Sequence, residues 1–65
     1  MTNMEAIVPI AKELETQAEG LEHNTEVPVT DVQHAYRKAG RAYRFADLPS
    51  DAKRMEEKAS SLSAR

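Results

Sequence analysis

TDVQHAYRKAGRAYRFA, residues 30 to 46, writes out one amphipathic helix. Wound at about 100° per residue, Val32, Ala35, Tyr36, Ala39, Tyr43 and Ala46 fall on a single stripe. The opposite side carries His34, Arg37, Lys38, Arg41 and Arg44, and Phe45 lies among those bases rather than on the stripe. Thr30 followed three residues later by Gln33 fits a capping box, which predicts a helix from 31 to 46. Ala39, Gly40 and Ala42 form a patch of small residues between the two tyrosines. Gly40 costs about 1 kcal/mol of helix propensity against alanine, a cost with a purpose if another helix or another chain crosses close by.

Upstream, Ile7, Ile10, Ala11, Leu14, Ala18 and Leu21 form a second stripe. Its 7–14–21 spacing suits a short coiled-coil seam with Gln17 at a seam position, where a polar side chain can fix register. The predicted helix covers 4–21. Thr2 or Asn3 is a candidate cap, Pro9 is a candidate first residue for the regular part, and Gly20 is a plausible stop. Residues 23–29, HNTEVPV, link the two helices. Asn24 suits a turn, Pro28 restricts Val27 to extended geometry, and a short extended piece is expected at Glu26–Val29. Downstream, DLPS breaks the chain, with Ser50 or Asp47 as cap for a third helix over 50–62. Ala52, Met55, Ala59 and Leu62 give that helix a thin apolar side, and the serines at 60, 61 and 63 predict a frayed end. The fold class that follows is all-α: a small antiparallel helical hairpin or three-helix arrangement within one domain, stabilised by self-association or by a partner.

Composition bounds the function. Sixty-five residues without cysteine exclude a disulfide framework and a thiolate metal site. A chain this short buries little of its surface, and alanine supplies much of its 40 % hydrophobic content. The formal net charge is -2. It is segregated: residues 1–26 hold six glutamates against one lysine, and residues 27–65 hold eight bases against five acids. The plainest expectation is an acidic helix lying beside a basic one, with exposed pairs contributing a few tenths to about 1 kcal/mol each. The other is that each face steers its own partner. No apolar run nears the roughly 20 residues of a bilayer span, and MTNMEA lacks the features of a secretory signal. The expectation is a cytoplasmic protein without membrane contact.

No catalytic motif stands out. His23 and His34 are eleven residues apart, with no defined nucleophile, phosphate loop, zinc helix or calcium loop. Glu13, Glu15, Glu19, Glu22 and Glu26 lack the accompanying histidine at the Glu-x-x-His spacing of helical-bundle metal sites, and they are read as a solvated acidic face. No cofactor is called for, and an enzyme or metal-binding protein is the remote alternative.

Two short resemblances occur. Ala35-Tyr-Arg-Lys38 resembles part of a J-domain helix, although the His-Pro-Asp loop of such a domain is absent. Ala39, Tyr43 and Ala46 are similar to the second helix of a tetratricopeptide repeat, without a matching first helix.

Binding remains as the main reading: a regulatory, adaptor or scaffolding module whose partner is a second copy or a larger protein. Ile7, Ile10, Leu14, Leu21, Tyr36, Tyr43 and Phe45 are the interface candidates, with Val32 beside them as core. His34, Arg37, Lys38, Arg41 and Arg44 are the basic recognition candidates. The tyrosines serve either as core or as interface anchors. Phe45 either folds back over the third helix near Leu48 and Met55 or meets a partner. The bases either pair with the first helix, meet an acidic protein, or, as the lesser alternative, meet nucleic acid.

Overall fold

The computed structural model describes residues 3–63. Three helices follow one another: α1 (Asn3–Glu22), α2 (Val29–Phe45) and α3 (Pro49–Ser63). Each neighbour in sequence is antiparallel, and α2 lies between the other two as a three-helix bundle. The Cα trace extends 40 × 18 × 12 Å. None of the described helices is long and apolar enough to cross a membrane. Thr2, a candidate cap, lies outside the described residues.

The elements differ from the expected ones at their ends, for local reasons. Pro9 sits inside α1 rather than at its start. Its missing N–H leaves the carbonyl of Glu5 without its helical donor, and both residues are exposed, where water can take that place. Gly20 does not stop α1. The helix runs two residues further, into a turn built on Asn24, whose Oδ1 accepts from the Glu26 N–H at 3.0 Å.

Of the piece expected to be extended, Glu26 and Val27 lie in a turn and a bend, Pro28 alone has an extended dihedral pair (φ -58°, ψ 144°) as the N-cap of α2, and Val29 is already the first helical residue. The Thr30–Gln33 capping box is therefore absent: Thr30 lies within the helix, and Pro28 makes no side-chain cap hydrogen bond. Gln33 is buried instead, and its Nε2 donates to the Ala59 carbonyl at 3.1 Å and to Ser63 Oγ. Those bonds hold the end of α3, so the serine-rich segment stays helical to Ser63, with Leu62 buried.

Between α2 and α3 the chain reverses at Asp47, whose φ is 60°. The Asp47 N–H bonds the Arg44 carbonyl at 3.0 Å, and the Leu48 N–H bonds the Tyr43 carbonyl at 2.9 Å. This is a Schellman closure, with aspartate at the left-handed position usually given to glycine. Neither Ser50 nor Asp47 is the residue before α3. That residue is Leu48, and Pro49 occupies the first helical position.

The core is made of small residues around five larger ones. Ala11, Ala18, Ala39, Ala42, Ala46, Ala52 and Ala59 are buried beside Val32, Tyr36, Tyr43, Met55 and Leu62. Gly40 explains the close passage of α3. A Cβ there would stand 3.3 Å from Met55 Cβ and 3.4 Å from the Ala52 carbonyl oxygen. The small-residue patch therefore receives α3, within the chain.

Candidate functional site

The tyrosine stripe faces inward. Tyr36 is fully buried and Tyr43 nearly so. Each hydroxyl crosses to α1: Tyr36 donates to Glu22 Oε1 at 2.5 Å, and Tyr43 donates to Glu15 Oε1 at 2.5 Å. From α3, Arg54 reaches the same Glu15 carboxylate with both terminal nitrogens, at 2.6 and 3.2 Å, and also holds Asp51 at 2.9 Å. Lys58 approaches Glu22 at 3.8 Å. Two rungs thus tie the three helices together. They also join α1 to α3, each of which packs chiefly on α2.

The electrostatics of the rungs follow from this geometry. Hydrogen bonding from the Arg54 guanidinium holds the Glu15 carboxyl below its ordinary value, outweighing the opposing effect of burial, and the Tyr43 hydroxyl adds to the same direction. Burial, reinforced by the Glu15 carboxylate, pushes the Tyr43 hydroxyl up to about 12. Burial and Glu22 raise Tyr36 as well. No buried side-chain nitrogen or oxygen among the described residues lacks a partner. Glu15 and Glu22 are therefore internal braces, not members of a solvated acidic face. The signal was present in their spacing: they are seven apart, like the two tyrosines they meet.

The bases of α2 do not pair with α1. The ion pairs that α1 makes run to α3, through Arg54 and Lys58. Arg44 bonds Glu56 of α3 at 2.5 Å on the surface. Among the described residues no ion pair within 4.0 Å involves His34, Arg37, Lys38 or Arg41, and all four are exposed. The reason is angular. Tyr36 and Tyr43 occupy the side of α2 that reaches the α1 carboxylates, and the bases project from its outer side.

Phe45 does not fold back over α3. It is 72 % exposed, whereas Leu48 and Met55 pack into the interior without it. With Arg41 and Arg44 it lines an open cleft of about 320 Å³. Arg41 also belongs to an adjoining cleft of about 240 Å³ lined by His34, Arg37 and Lys38. The outer side of α2 is thus a continuous basic ledge with one aromatic at its end.

On α1 the interface candidates separate from the core. Its deepest residues are Ala11 and Ala18, while Ile7, Leu14 and Leu21 are half-buried and Ile10 is 53 % exposed. Among the described residues no three histidine, aspartate or glutamate side chains group closely enough to hold a metal ion. No protein-family model, curated protein or solved structure matches the chain.

Proposed function

We propose that the chain is a non-enzymatic protein-binding module with a regulatory or adaptor role, and that the outer side of α2 is its recognition surface. The observation that carries this reading is Phe45, left exposed between arginines while no buried side-chain polar atom among the described residues lacks a partner. An exposed phenylalanine gains area by entering an apolar slot, and the neighbouring Arg41 guanidinium, without an ion pair among the described residues, favours a carboxylate by forked hydrogen bonds. The fitting partner is an acidic protein segment that carries a large apolar side chain.

Selection of random peptides on phage against the folded chain tests this. Acidic sequences with an apolar anchor should be enriched. Their affinity should fall with salt, and with Arg41→Gln and Phe45→Ser. Enrichment of uncharged or basic sequences, or binding indifferent to both substitutions, would sink the proposal.

The same arginines with an exposed aromatic support nucleic acid as a second reading, since bases stack on such rings. The overall charge of -2 opposes it by repelling a polyanion. Retarded duplex or single-stranded probes at low salt, with a steep loss of binding as salt rises, would favour that reading instead.

A further inference from the structure

Helix α1 carries two rows of side chains: one is turned fully inward, and the other packs against the core only in part, through Ile7, Leu14 and Leu21. Ala11, Glu15, Ala18 and Glu22 face α2 and the braces described above. Ile7, Ile10, Leu14, Gln17 and Leu21 lie on the neighbouring row, roughly a quarter-turn away by helical geometry. Alanines let α1 lie close to α2, which leaves the larger side chains on the flank. Of this row, Ile7, Leu14 and Leu21 are half-buried, and Ile10 and Gln17 are exposed. Leu14, Gln17 and Leu21 form one wall of a groove of about 300 Å³, whose other wall is Asp31, His34, Ala35 and Lys38 of α2.

The row has a three-and-four spacing over residues 7 to 21, which is the repeat of a helix seam made to meet another helix. Glu13 stands on one edge of the row and Lys38 on the other. Glu13 stands three residues from Ile10 and four from Gln17, so it borders the row on the solvent side. It is exposed and makes no ion pair within 4.0 Å among the described residues. The α2 edge carries Lys38 and His34, without ion pairs among the described residues, and Asp31 lies at its far end. Glu13 and Lys38, on opposite edges of an apolar centre, let the surface complement itself at those two positions. Two-fold rotation about an axis parallel to α1 lays Glu13 of each copy toward Lys38 of the other, with the two α1 helices parallel.

We infer that this row of α1 is the contact surface of a homodimer, in which α1 packs against α1 of a second copy and Glu13 of each protomer meets Lys38 of the other. Gln17 is the polar seam residue that limits the register. His34 and Lys38 border both this contact and the basic ledge, whereas Arg41, Arg44 and Phe45 lie outside the contact, so Ile10→Lys tests the dimer alone and Phe45→Ser the ledge alone.

Sedimentation equilibrium of the full chain over a wide concentration range, with helicity followed on the same samples, tests the inference. The expected mass is that of a dimer which dissociates on dilution. Ile10→Lys alters a half-exposed side chain and should leave the helices intact. It should raise the dimer dissociation constant by at least about thirty-fold, as loss of a central anchor does. Lys38→Glu should weaken the dimer, and Glu13→Lys added to it should restore it. Gln17→Leu should tighten association or raise its order. A monomer at every concentration overturns the inference and leaves the row to an unrelated protein. So does a dimer that ignores Ile10→Lys, or one in which the double charge reversal fails to rescue Lys38→Glu.

Discussion

Replacing Tyr43 by phenylalanine removes one oxygen atom from a nearly buried side chain and leaves its shape in place. The atom lost is the donor to Glu15 Oε1 at 2.5 Å. Hydrogen bonds to charged groups contribute about 1.5–3 kcal/mol. Glu15 keeps the two bonds from Arg54, so its carboxylate is not abandoned and the loss belongs near the low end, about 1.5 kcal/mol. In a chain this short that corresponds to a fall of roughly 6–12 °C in Tm. Urea unfolding followed by far-ultraviolet circular dichroism is the assay, with an unchanged m-value showing that the unfolded state is unaltered.

The pH dependence supplies a second signature. The folded carboxyl of Glu15 is held below its ordinary 4.5, so its stabilising contribution is complete above that value. It is lost as pH falls through the lower, folded value. The gap between wild type and Tyr43→Phe should therefore be full at neutral pH and should narrow in acid, as the charged acceptor is lost. Wild-type stability for the variant at neutral pH, or a gap indifferent to acid, would refute the brace.

Three other substitutions probe the rest of the fold and its surface. Gly40→Leu drives a side chain into Met55 and the Ala52 carbonyl, and should cost about 3 kcal/mol or prevent folding, as thermal unfolding will show. Asp47→Gly relieves a side chain held at φ 60° and should raise stability by about 1 kcal/mol in the same assay. Phe45→Ser should change stability by no more than about 0.5 kcal/mol while it weakens capture of acidic peptides, because so exposed a ring supports no packing.

Periodicity made the three helices legible, because 3.6-residue stripes in residues 4–21, 31–46 and 50–62 have no comparable reading as strands. Helix ends were less so. Thr30 and Gln33 have the right spacing for a capping box, but Pro28 offers a preset dihedral two residues earlier, and burial gives Gln33 a better partner in α3. Gly20 resembled a stop, yet nothing crowds it, and leucine and glutamate beyond it continue the helix.

The rotation of α1 was the least accessible feature. Hydrophobicity alone points Ile10 and Leu14 inward. The actual orientation depends on how closely alanines can approach, and on carboxylates finding hydroxyl and guanidinium partners on two other helices. Such pairing requires knowing which helices adjoin, and a stripe on one helix does not carry that. Phe45 among the bases was visible from the start. What the fold adds is that α3 leaves it uncovered.

That the recognition surfaces lie off the tyrosine stripe depends on both tyrosines being internal, and the chain contains only these two. Ultraviolet titration of tyrosinate, with circular dichroism on the same samples, tests this most directly. A hydroxyl raised above its ordinary 10.0 stabilises the fold while protonated. That contribution stays whole below pH 10 and drains away as pH climbs through the folded value, about 12 for Tyr43. The account predicts no tyrosinate signal near pH 10, then a steep rise at higher pH coincident with loss of helix. A tyrosinate step centred near 10 with the helices intact would place the tyrosines at the surface and contradict it.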